Sequence, residues 1–175
     1  MNWIYEHTPD NKARFILGEK GNKPLICIGI NPSTATPANL DKTAKRVQKY
    51  TSDLCYNSWI MLNVYPQIDK NSENLHKVKD TNLHKQNLEY IESILTIEGI
   101  NIWAAWGTII TERPYLFYCL RDIHLIAKKN NKSWYSAGNL LKDGHPRHPS
   151  RMQTGLPLKK FDIDAYLNKY MFNSR

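Results

Sequence analysis

Leu25-Ile-Cys-Ile-Gly-Ile-Asn-Pro-Ser-Thr-Ala35 is the stretch whose reading decides the fold. Leu25 to Ile30 is nearly continuous apolar sequence without polar alternation, the pattern of a strand buried on both faces inside a parallel sheet. Gly29 lets another backbone or a ligand come close, Asn31 places an amide just past the strand, and Pro32 stops the ladder and fixes the loop. Ligands of open parallel sheets collect at the carboxyl ends of the strands, so Asn31, Ser33 and Thr34 form the first candidate site.

Working outward, residues 3–22 carry two short aromatic or aliphatic runs broken by Pro9, Asp10 and Asn11, as in a hairpin or edge strands leading into the sheet. Beyond the loop, Asp41 can cap a helix running to about Leu54. Ala44, Val47, Tyr50 and Leu54 share one face of it, and Lys42, Lys45, Arg46 and Lys49 the other. Trp59–Tyr65 reads as a second buried strand interrupted by Asn63. Residues 67–80 are a polar loop, long enough to serve as a flap over a site. A helix starting at Asp80 or Thr81 turns Leu83, Leu88, Ile91, Ile94 and Leu95 inward, and a third strand over Asn101–Trp106 ends at Gly107. Thr111-Glu112-Arg113-Pro114 opens a helix with Leu116, Cys119, Leu120, Ile123, Ile126 and Ala127 on one stripe. Trp134–Ser136 is a fourth short strand. After the Gly-, Pro- and His-rich segment 144–157, Asp162 caps a last helix with Ile163, Tyr166, Leu167, Tyr170 and Met171 inward. Alternating strands and helices predict an α/β protein, a three-layer αβα domain over residues 1–175 with a mostly parallel four-stranded sheet.

Composition narrows the function classes. Hydrophobic residues at 41% and aromatics at 11% describe a globular chain, and a net charge of +8 attracts anionic partners such as nucleic acid or nucleotides. Cys27, Cys55 and Cys119 are far apart and each lies in an apolar pattern, so all three are expected to be reduced core thiols. With no apolar run of about 18 residues and no signal-peptide pattern, a cytoplasmic monomer without a membrane span is expected.

Polar or glycine signals stand at the ends of four successive strands: Asn31-Pro32-Ser33, Asn63, Trp106-Gly107, and the segment His145 to Ser150. In a parallel sheet these endings share one edge. Asn31 either orients a water or a base edge, or bonds its own loop backbone; Ser33 and Thr34 either hold a phosphate or cap the loop. Asn63 inside a buried strand must be satisfied or costs about 1–3 kcal/mol. In Gly144-His145-Pro146-Arg147-His148-Pro149-Ser150-Arg151 the prolines preset the geometry of two histidines and two arginines. Histidine there can donate to a developing oxyanion and arginine can clamp a phosphate. No cysteine or carboxylate stands at metal-ligand spacing, so neither a metal nor a cofactor is expected. Lys42, Lys45, Arg46 and Lys49 are either a solvated face or, at the amino end of a helix after the loop, a phosphate contact.

The order of these motifs resembles the uracil-DNA glycosylase superfamily. Gly29-Ile30-Asn31-Pro32 is similar to its first motif, Met61-Leu62-Asn63 to the second-strand motif, Ala105-Trp106-Gly107 to the third and His148-Pro149-Ser150 to the motif after the fourth. The chain resembles more closely an uncharacterised bacterial and phage family, a domain of unknown function. That likeness rests on Asn31-Pro32-Ser33-Thr34-Ala35, Asp41, Thr43, Arg46, Asn63, Trp106-Gly107, Gly144 and Pro146-Arg147-His148-Pro149, spanning about residues 12 to 151. It implies a glycosylase-like fold and two catalytic residues. Asn31 positions the attacking water and His148 stabilises the departing base, while Asn63 reads a flipped base edge. Ser33, Thr34, Asp41, Thr43, Arg46, Asn63, Trp106, Gly107, His145 and Arg147 are then the expected substrate contacts. Departures stand beside the likeness: Ser33 replaces the usual loop residue, Arg151 stands where a wedge leucine is often found, and Asp41, Thr43 and Arg46 have no glycosylase counterpart. Three cysteines exclude a four-cysteine iron–sulfur cluster unless another ligand substitutes. The expected activity is that of an N-glycosidase-like hydrolase acting on a base in DNA or on a nucleotide. The rivals are a non-catalytic nucleic-acid-binding module and an enzyme of phosphorylated small molecules.

Overall fold

In the computed structural model, which describes residues 2–172, the apolar run becomes a strand over Pro24–Gly29 with every residue buried. In chain order the elements are β1 (Trp3–His7), β2 (Arg14–Glu19), β3 (Pro24–Gly29), α1 (Lys42–Asp53), β4 (Ser58–Asn63), α2 (Thr81–Leu95), β5 (Asn101–Ala104), α3 (Tyr115–Lys129), β6 (Trp134–Ala137), β7 (Leu158–Lys160) and α4 (Ile163–Phe172).

The strands form one mixed sheet in the order β1-β2-β4-β3-β5-β6-β7. The sheet therefore has seven strands and not four. The parallel part is β4-β3-β5-β6, extended on one side by the antiparallel β2 and β1 and on the other by the antiparallel β7. β7 is Leu-Lys-Lys, half-buried at its first residue and exposed at the next two, and so carries no apolar pattern that a sequence reading can detect.

Alternation along β3 divides the core. Ile26 and Ile28, with Ile30 beyond the strand, join the apolar faces of α2, α3 and α4, whereas Leu25 and Cys27 join Trp59, Met61, Trp103 and the Ala44, Val47 and Tyr50 face of α1. Helices thus cover both faces of the sheet. Each fully buried Ile or Leu contributes about 1.5–3 kcal/mol, so Leu25, Ile26 and Ile28 fix β3 and with it the end from which Asn31 leaves the sheet. From β3 the chain winds through α1 to β4 on one side, then returns past β3 to β5 on the other. A crevice opens at the carboxyl ends of strands where the winding reverses.

Several local expectations are corrected. The third strand stops at Ala104, because Gly107 (φ +63°) turns the chain into a 3₁₀ segment over Gly107–Glu112. The 67–80 loop does border a cavity, through Asp69, Lys70 and Ser72, but it is pinned in place: Leu75 is buried, and the Arg113 guanidinium donates to Glu73 O and Leu75 O. On α2 Ile91, Ile94 and Leu95 are buried and Leu83 and Leu88 pack half-buried against the same core, but His84 and Asn87 are buried as well. His84 turns inward because its Nε2 meets Asp122 of α3 at 3.0 Å, and Asn87 because its Nδ2 donates to Asn63 O at 2.9 Å. Cys27 and Cys119 are buried thiols, but Cys55 is exposed in a left-handed turn (φ 60°) just after α1. No helix among the described residues is long and apolar enough to cross a membrane.

Candidate functional site

A cavity of about 160 Å³ opens at the carboxyl ends of β3 and β4. Of the residues singled out from the sequence, Asn31, Ser33, Asp41, Thr43, Asn63 and His148 line it, together with Gly29, Arg14, Met61, Asp69, Lys70, Ser72 and others.

Asn63 is the last residue of β4 and pairs with Gly29 at the end of β3. A Cβ on Gly29 would stand 3.2 Å from Asn63 Oδ1, so glycine leaves the amide its space. Asn63 is 1% exposed and its Nδ2 has no hydrogen-bond partner. Its backbone carbonyl, by contrast, accepts from Asn87 Nδ2. Arg14, at the start of β2, is 2% exposed and also leaves its Nε without a partner. Both residues line the cavity, and donors that cost about 1–3 kcal/mol when unsatisfied can be met there by a ligand with acceptor atoms.

The Asn31 side chain ties two loops together. Its Nδ2 donates to Asp69 O (2.9 Å), Pro32 O (3.2 Å) and Gln67 O (3.3 Å), and Asp69 N–H donates back to Pro32 O. Among the described residues its Oδ1 accepts no hydrogen bond, so the oxygen is the part left for a ligand or water. Arg14 supports the same loop from beneath, donating to Ala35 O at 2.7 Å. Burial lowers the guanidinium to about 10, while nearby Asp41 opposes the shift. Asp41 caps α1 by accepting from Ala44 N–H at 2.7 Å, and its second oxygen accepts a short hydrogen bond from Ser33 Oγ.

His148 lines the same cavity. Its Nδ1 accepts from Ser150 N–H at 3.2 Å and lies 2.8 Å from Ser150 Oγ. A backbone N–H can only donate, which assigns the ring proton of the neutral imidazole to Nε2. Burial and the charge of Arg151 push His148 down to about 4, against the opposite pull of Asp41. At neutral pH the ring is therefore an uncharged donor through Nε2. Gly107 is required here for two reasons: its φ is +63°, and a Cβ would stand 3.1 Å from the His148 Cβ.

The remaining candidates lie outside this cavity. Trp106 is buried and donates through Nε1 to Tyr166 OH (3.0 Å), which leaves the hydroxyl proton for His145 Nδ1 at 2.8 Å. Trp106 and His145 thus join α4 to the segment that carries His148. Arg46 projects from α1 and donates through one terminal nitrogen to Pro149 O, Ser150 O and Met152 O at 3.0–3.1 Å. Arg147 donates to Asn139 O at 2.9 Å, Gly107 and Arg147 face a neighbouring cavity, and Thr34 is exposed on its loop.

Sequence reading missed Arg14, Asp69, Lys70 and Ser72. Arg14 leaves one signal, a cation opening the otherwise apolar run Arg-Phe-Ile-Leu; the other three sit in a polar loop without a distinguishing pattern. Among the described residues no group of histidines, cysteines and carboxylates is arranged to hold a metal.

Among known families, that described as "Protein of unknown function (DUF1643)" matches residues 14–150. No curated protein and no solved structure matches the chain.

Proposed function

The chain belongs to the DUF1643 family, and we propose that it is a metal-independent N-glycosidase-like hydrolase that takes a nucleobase into the strand-end cavity. The observation that carries this reading is the buried, unpartnered Nδ2 of Asn63 among the residues that line a cavity together with an uncharged histidine. A carboxamide offers a donor and an acceptor side by side, the complement of a base edge that presents a carbonyl next to an N–H. Uracil, thymine and guanine carry such an edge. Arg14, which lines the same cavity, adds a second buried donor without a partner at its Nε. The resemblance of the four strand-end motifs to the uracil-DNA glycosylase superfamily supports the same assignment.

In this reading the Asn31 Oδ1 accepts a hydrogen bond from a water and holds it against the sugar carbon of the glycosidic bond. As the carbon–nitrogen bond breaks, its electron pair moves onto the base. The uncharged Nε2–H of His148 donates to the base oxygen that becomes negative. A neutral donor suits a base that departs as an anion, because its proton stays on the enzyme and the group works at neutral pH. The products are the free base and a sugar with a hydroxyl in its place. The attacking water loses one proton to solvent as it becomes that hydroxyl, and the base anion takes one up, so the hydrolysis balances.

Release of free base from DNA bearing uracil, mismatched or hypermodified bases tests the proposal. The wild type should release base from one of these substrates, with Asn31→Ala and His148→Ala each slower by about 10²–10⁴-fold. Equal turnover by all three proteins refutes it. The exposed Lys42, Lys45 and Lys49 of α1 favour nucleic acid as the source of the base. Affinity for DNA that does not weaken with added salt would count against that source.

A further inference from the structure

A second cavity, of about 200 Å³, abuts the first, and His148 and Ile109 are walls of both. The two differ in charge. In the first, Arg14 and Lys70 stand with Asp41 and Asp69. The second is lined by Arg147 and Arg151, with Thr108 beside them and no carboxylate among its described lining residues. Arg147 is fixed through its Nε on Asn139 O, which leaves its terminal nitrogens available. Among the described residues the Arg151 guanidinium makes no hydrogen bond or ion pair. Both arginines belong to a segment stiffened by Pro146 and Pro149 and fastened to α1 through Arg46.

Two guanidiniums without a counter-charge, on a preset backbone, select a compact anion with several acceptor oxygens. The wall shared at His148 and Ile109 connects the two cavities. With the base against Asn63 and the sugar carbon at Asn31, both in the first cavity, a phosphate ester on that sugar extends past this wall into the second.

We propose that this second cavity is a phosphate subsite, so that the substrate is a phosphorylated nucleoside, either a free nucleotide or a unit of a nucleic-acid strand, and not a free base or nucleoside. The proposal rests on the base reading of the first cavity.

Titration calorimetry on the full chain tests it. The probes are the deoxynucleosides of adenine, guanine, cytosine, thymine and uracil, their 3′- and 5′-monophosphates, inorganic phosphate, and a single-stranded oligonucleotide containing one deoxyuridine. At least one monophosphate should bind about 10- to 100-fold more tightly than its nucleoside, the range expected for charge-assisted hydrogen bonds. Inorganic phosphate should compete with it. In the Arg147→Gln, Arg151→Gln double variant the two should bind alike, at the affinity of the nucleoside. A nucleoside that binds as tightly as its monophosphates overturns the subsite and leaves the base reading standing. An advantage of phosphate that survives in the double variant does the same. If nothing carrying a base binds, both readings fall. Tighter binding of the oligonucleotide than of the mononucleotides supports the subsite and identifies a strand as the source, and equal binding supports it with a free nucleotide.

Discussion

Replacing Arg46 by alanine should loosen the segment that presents His148. One terminal nitrogen of Arg46 faces Pro149 O at 3.1 Å, Ser150 O at 3.0 Å and Met152 O at 3.0 Å. That nitrogen carries two hydrogens, so it makes two full hydrogen bonds and shares them with a third acceptor. A hydrogen bond with a charged partner contributes about 1.5–3 kcal/mol when buried. Arg46 is half-buried and the freed carbonyls can meet water, so Arg46→Ala should cost about 2 kcal/mol in all. For a chain of this size that lowers Tm by about 4–8 °C. Arg46→Lys should recover only part of the loss, because its shorter, flexible stem and more strongly hydrated ammonium hold that position less well than the guanidinium does. Urea denaturation gives the stability change, and amide exchange at Arg151 and Met152, whose N–H groups bond back to His148 O and Pro149 O, reports the local loosening. A loss below about 0.5 kcal/mol with unchanged exchange would refute the clamp, since that is the range of an ordinary surface substitution.

His148 has its pKa lowered from 6.5 to about 4 in the folded chain, so between those values the unfolded chain binds a proton that the folded chain resists. Stability should therefore fall as pH drops through that window, and His148→Gln should fall less steeply; identical slopes would contradict the half-buried neutral imidazole. Gly29→Ala places a methyl 3.2 Å from Asn63 Oδ1 and should cost about 1–3 kcal/mol in urea denaturation while weakening base binding by calorimetry. Asp41→Ala removes the cap of α1 and the acceptor of Ser33 Oγ, for a loss of about 1 kcal/mol by thermal denaturation.

The parallel part of the fold was legible because β3 and β4 are buried on both faces and announce it as continuous apolar runs. The antiparallel flanks were less so: β7 is three residues of mostly exposed lysine, and edge strands need no apolar pattern. The inner face of α2 misled for a different reason. Periodicity assigns apolar residues to the core, but His84 and Asn87 take that face because Asp122 and the Asn63 carbonyl await them. Asn63 itself was identifiable, since an amide inside a buried strand demands a partner. Arg46 and Arg147 look alike in the sequence and differ in the fold. Sequence marks an arginine near a loop as a contact for phosphate, and only coordinates distinguish a guanidinium spent on backbone carbonyls from one left open to a cavity.

The most direct test of the base-binding cavity is the side-chain NH₂ resonance of Asn63 in ¹⁵N-labelled protein, assigned with Asn63→Asp and followed as uracil, thymine and guanine nucleotides are added. The amide has no partner in the free protein, so one of these ligands should shift its resonance and slow its exchange with water, and the ligand should lose affinity for Asn63→Asp. An Asn63 amide that stays unchanged while a nucleotide saturates the protein would contradict the account.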